Sequence, residues 1–137
     1  MEIARKGDIL MLRLDHGEDI LASVLKGVEG ERSTLLITTG LGMIHDFELG
    51  YFDNGNYVKA GFKEPFELLS MQGSVASEGE PRIHIHVTVA DKGHRAFGGH
   101  LMRGKAWMSN EIGMIRISGH SSKREFNPEK KVGMLRI

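Results

Sequence analysis

Apolar residues recur along most of this chain with a period of two, in short runs cut by glycine. Strand side chains alternate between two faces, so such runs predict strands that are buried on one side. The pattern predicts strands over residues 9–14, 33–39, 57–62, 66–73, 82–90, 96–103 and 113–118, with a looser one over 43–52 and a last one over 132–137 closing the sheet. Asp15-His16-Gly17 and Asp53-Asn54-Gly55-Asn56 predict turns, and Glu78-Gly79-Glu80-Pro81 predicts a loop. Gly40-Leu41-Gly42 predicts a break after the second of these strands. It lacks the third glycine and following helix of a nucleotide-binding loop, so it is read as a tight turn. Residues 19–26 have a different period: Ile20, Leu21, Val24, Leu25 and Val28 share one face of a helix. Asp15, Glu18 and Asp19 put acid at the helix's positive end, and Gly27 or Gly30 can end it. One early helix followed by strands predicts an α+β fold with a mostly antiparallel or mixed sheet.

The chain has 137 residues, enough for a single domain over 1–137 with its own core. Lys plus Arg and Asp plus Glu number 18 each, so the formal charge is zero. A neutral chain lacks the basic surplus on which counterion-driven duplex binding rests, which argues against DNA as a partner. There is no cysteine, hence no disulfide and no thiolate chemistry. No apolar run approaches the ~18 residues that span a bilayer, and the opening residues lack the apolar segment of a signal peptide. The expected compartment is the cytoplasm, with no membrane partner.

The segment Arg82-Ile-His-Ile-His-Val-Thr-Val-Ala90 carries the chemistry. Ile83, Ile85, Val87 and Val89 fall on one face, and His84, His86 and Thr88 on the other. A hairpin centred on Gly93 sets Val89 against Phe97, Val87 against Gly99, Ile85 against Leu101 and His86 against His100. A slip by one residue would destroy that sorting of apolar and imidazole side chains. Three imidazoles on one face can converge on a divalent transition metal, with zinc the expected ion and a fourth position open to a small molecule or anion. Gly98 and Gly99 are expected to keep bulk away from that site. The bland alternative is a row of solvent-facing strand histidines. His16, His45, His94 and His120 lack such partners and are expected to be surface or hydrogen-bonded residues. Glu67 is a weak candidate for a base near the ion, and Ser70 and Gln72 are alternative helpers to it. Lys123, Arg124, Lys130 and Lys131 are read as solvated charged surface.

Several segments, in order, resemble the PPC domain (plant and prokaryote conserved). They are Thr39-Gly-Leu-Gly-Met-Ile44, Leu49-Gly-Tyr-Phe-Asp53, Glu64-Pro-Phe-Glu-Leu-Leu-Ser-Met-Gln-Gly73, Pro81-Arg-Ile-His-Ile-His86 and Gly98-Gly-His-Leu101. The resemblance implies an α+β fold that assembles as a homotrimer, with a metal on the positions of His84, His86 and His100 in stand-alone prokaryotic members. Plant members carry the domain behind an AT-hook in nuclear DNA-binding proteins, and this chain has no such hook. The reading is therefore a metal-binding homotrimer with a regulatory or ligand-binding role. The alternatives are a metal-dependent enzyme of hydrolase or lyase type and, by analogy with plant members, a DNA-binding protein.

Overall fold

The computed structural model describes residues 1–137. The order is β1 (Glu2–Lys6), β2 (Ile9–Asp15), α1 (Ile20–Gly27), β3 (Thr34–Asp53), β4 (Asn56–Phe62), β5 (Phe66–Val75), β6 (Glu78–Gly79), β7 (Ile83–Ala90), β8 (Ala96–Ile117), β9 (Lys123–Asn127) and β10 (Val132–Arg136). Seven strands form one sheet in the order β1-β2-β8-β7-β5-β3-β4, with β3 and β8 also paired. Pairing thus runs from β8 through β7, β5 and β3 back to β8, a closed ring of four antiparallel strands. This is an α+β fold with one main helix, as the hydrophobic pattern predicts.

The ring encloses the core. Ile83, Ile85, Val87 and Val89 of β7 turn inward against Leu68, Met71 and Val75 of β5. Leu10, Leu12 and Leu14 of β2 extend the same apolar layer under α1. The helix starts where the Asp19 carboxylate accepts the Ala22 N–H at 2.9 Å, satisfying a donor that the first turn leaves free. It buries Ile20 and Val24, and Gly27 lies against Leu12 where a Cβ would come within 2.8 Å. Asp15 and Glu18 do not serve the helix end. They accept from the Met1 ammonium at 2.9 and 3.1 Å and so pin the N-terminus to the end of β2.

Four expectations are corrected. Gly40-Leu41-Gly42 does not break the chain: β3 runs through it for 20 residues, and the register with β8 shifts at Gly42. The segments 96–103 and 113–118 are likewise parts of one 22-residue strand, β8. Residues 132–137 do not close the main sheet. β10 pairs with β9, which runs parallel to the two-residue β6, in a separate three-stranded sheet. Part of the expected loop at 78–81 is thereby a strand. No helix is long and apolar enough to cross a membrane.

Candidate metal centre

β7 supplies two of the three histidines and β8 the third. His86 pairs with His100, Val87 with Gly99 and Val89 with Phe97, the register expected of the hairpin. The ladder stops at His86–His100, so Ile85 and Leu101 are not a ladder pair. From His100 onward β8 turns to β3 instead, pairing His100 with Gly50 and Leu101 with Leu49. The histidines therefore sit where β8 leaves one neighbour for another. Gly98 does not open the site to a ligand: its missing Cβ would lie 2.2 Å from the Val87 carbonyl oxygen, so the glycine lets β7 and β8 approach. Gly73 of β5, paired with Ile85, likewise lets β5 and β7 approach: a Cβ there would fall 2.1 Å from the His84 carbonyl oxygen.

The Nε2 atoms of His84 and His86 are 3.1 Å apart. The ring centroids are separated by 4.9 Å for His84–His86, 4.8 Å for His84–His100 and 5.5 Å for His86–His100. One nitrogen from each ring lies within 4.8 Å of the others, so the cluster could hold a metal ion. Ligand atoms ~2.05 Å from a tetrahedral zinc are about 3.3 Å from each other, so the His84–His86 pair is already near that spacing. Burial pushes the His84 imidazole down to about 4, with help from His100 and His86 and then the nearby Arg124 cation. Burial is also the first cause of the depressed pKa of His100, followed by His86 and Arg124. Both rings are thus held neutral at pH 7, the form whose lone pair binds metals. Nδ1 of His100 is buried without a hydrogen-bond partner, which leaves that imidazole with unused coordinating capacity.

Gln72 pairs with His86, Ser74 with His84 and Ser70 with Thr88, so all three β5 residues share the histidine face. Glu67 does not join them. It pairs with Ala90, four positions along β7 from His86 and so ~13 Å away, and it is exposed.

Two groups beside the cluster were not anticipated from the sequence. Tyr57 of β4 places its ring 5.2 Å from that of His100. Arg124 of β9 is not solvated surface: it is 5% exposed and donates from Nη2 to the Ser74 Oγ at 2.9 Å. The alternation Lys123-Arg124-Glu125-Phe126 places Arg124 and Phe126 on one face of a strand, but Phe126 is itself exposed, so the pattern does not mark Arg124 as buried. His16 and His45 are also not isolated. They stack with centroids 5.6 Å apart, and Trp107 stands edge-on to both.

Comparison with known proteins places this geometry. The model of the Plants and Prokaryotes Conserved (PCC) domain matches residues 1–118. No curated protein matches the chain. Among solved structures, the chain is similar to a metal-containing protein from Archaeoglobus fulgidus, with 26% identity, TM-score 0.83, and coverage of 99% of this chain and 96% of that one. It is similar to a plant- and prokaryote-conserved protein from Pyrococcus horikoshii, with 23% identity, TM-score 0.82, and coverage of 99% and 94%. A protein from Bacteroides thetaiotaomicron, named only as a candidate DNA-binding protein, shares the fold with TM-score 0.87 at 19% identity over 98% and 96% of the two chains.

Proposed function

The chain belongs to the Plants and Prokaryotes Conserved domain family, and from that premise we propose that it is a cytoplasmic metal-binding homotrimer with a ligand-binding or regulatory role. In this reading it is a single functional unit over residues 1–137, and His84, His86 and His100 hold one zinc ion. The observation that carries the reading is the convergence of three imidazoles, two of them held neutral, whose ligand nitrogens all lie within 4.8 Å of one another, with the His84–His86 pair at 3.1 Å. The Archaeoglobus relative, at 26% identity, is a metal-containing protein, which supports the same reading here.

An ion on three neutral ligands keeps its full charge and supplies an electrophilic position for a small molecule or anion. The chain's own groups divide the remaining work. Gln72 and Ser74 stand opposite His86 and His84 on the neighbouring strand, and the Ser74 hydroxyl accepts from Arg124. Tyr57 covers one side of His100. A hydrolase or lyase would also need a positioned base. Glu67 is at the wrong register, and no Asp or Glu lines the cleft beside the histidines. That favours binding over turnover.

Support for assembly comes from an apolar row on the outer sheet face. Ile9 pairs with Ile115, Ile115 pairs with Leu36, and all three are exposed. A contiguous exposed apolar patch on a folded domain marks a contact surface. The cysteine-free composition suits a reducing compartment. DNA binding is not favoured, because 18 basic residues are offset by 18 acidic ones.

Elemental analysis of the purified protein tests the metal reading. Wild type is expected to carry about one zinc per chain and His86→Ala far less, with circular dichroism showing the same sheet. Equal metal in the two proteins would refute it.

A further inference from the structure

The cleft beside the histidines contains a buried positive charge that no group of the chain balances. Arg124 is 5% exposed, its Nη2 meets only the neutral Ser74 hydroxyl, and its Nε has no hydrogen-bond partner. The carboxylate nearest in sequence, Glu125, is taken by Lys123 at 3.1 Å and Arg136 at 3.5 Å. A guanidinium removed from water without a counter-charge is strongly unfavourable, so such a group is ordinarily paired or waiting for a partner. The side chain is also held in place: its Cγ and Cδ lie across Gly133 of β10, 3.5 Å from where a Cβ would stand.

What surrounds Arg124 states the partner's chemistry. The cleft has a volume of about 240 Å³, roughly that of eight liquid waters. His84 and His100 form one end, Arg124 and Lys131 bring positive charge, and Tyr57 and Phe126 give apolar walls. No acidic side chain lines it, and Lys131 makes no ion pair. Every formal charge facing this space is positive, and an ion on the histidines adds to that sum.

We propose that this cleft binds a small organic carboxylate, with Arg124 taking the charged end and the apolar body lying between Tyr57 and Phe126. A carboxylate matches the planar guanidinium fork and carries the single negative charge that one buried arginine lacks. Lys131, exposed at the mouth, adds attraction on approach. The inference goes beyond the metal reading and does not depend on it, because Arg124 is unbalanced whether or not an ion is bound. Arg124 and Lys131 also lie past residue 118, where the family model ends.

The test uses the full chain, both zinc-loaded and chelator-treated, titrated with benzoate by calorimetry. The controls are benzamide, which has the same body without the charge, and inorganic phosphate. Saturable benzoate binding is expected in both preparations, with benzamide weaker by on the order of tenfold or more. Arg124→Gln is expected to lose on the order of tenfold in benzoate affinity, and Lys131→Gln about threefold, with unchanged circular dichroism. Absence of saturable binding below roughly 10 mM benzoate would overturn the proposal, as would benzamide or phosphate binding as tightly as benzoate. Should Arg124→Gln not fold, Lys131→Gln decides, and unchanged affinity in that variant counts against the site. His86→Ala keeps the two readings apart, since His86 does not line the cleft: benzoate binding that survives there while zinc is lost supports the carboxylate site alone.

Discussion

Asp46 gathers three cations on its own. Lys63 lies at 2.8 Å, Arg103 at 3.0 Å and Lys105 at 3.4 Å from its carboxylate, and Arg103 also donates to its carbonyl oxygen. The residue sits at positive φ, 44°, where the register between β3 and β8 is interrupted. These partners, Lys63 foremost and then Arg103, hold the Asp46 carboxyl far below the usual carboxylate range. A carboxylate with a depressed folded-state pKa contributes stability above its unfolded value of ~4, and that contribution is lost as pH falls further. In Asp46→Asn the loss of stability below pH ~4 should therefore be shallower than in wild type. Denaturant midpoints measured at intervals from neutral pH downward would show it, and parallel acid limbs in the two proteins would exclude the mechanism. The effect should shrink in high salt, because the group is partly exposed to solvent.

At the scale of elements, the crossing of β3 and β8 is the least forgiving point. Gly42 has φ of 131°, and a Cβ there would lie 2.2 Å from the Ser109 carbonyl oxygen. Asn110, fully buried, donates to the Met43 carbonyl at 3.0 Å across the same shift in register. Gly42→Ala should cost roughly 3 kcal/mol or more, since it adds a backbone clash to an unfavourable φ. Gly61→Ala on β4 is the matched control, because nothing lies within 4 Å of its added methyl. Urea unfolding of both variants checks this, and equal losses would show that the crossing is not special. The same site explains what a sequence reading can and cannot see. The β7–β8 register was legible because alternation over 83–89 and 97–101 sorts apolar from imidazole residues in only one alignment. The continuity of β3 and β8 was not, because Gly40 and Gly42 look like punctuation, and the contacts that require them lie 67 and 68 residues away on β8 and 31 on β5. Arg124 was missed for a related reason: charge was taken as exposure, and Ser74, to which it donates, lies 50 residues away on β5.

For the whole molecule, the question is how much of the site belongs to one chain. His84, His86 and His100 all come from neighbouring strands of the same sheet, and Arg124 reaches them from β9 of the same chain. The apolar row of Ile9, Ile115 and Leu36 involves none of these residues. Assembly and metal binding should therefore be separable. Ile115 is the middle member of the row, flanked in register by both other residues, so a lysine there places a charge at the centre of the patch. Charge buried at the centre of a contact surface is far less tolerated than charge at its rim. Ile115→Lys should shift the mass measured by light scattering from about three chains to one at micromolar concentration, while zinc per chain stays near the wild-type value. Ile115 is exposed in the single chain, so the substitution should not unfold it. A variant that remained a trimer would remove this face from the interface. A variant that became a monomer and lost its zinc would mean that a neighbouring chain completes the metal site, which three histidines on two adjacent strands do not require.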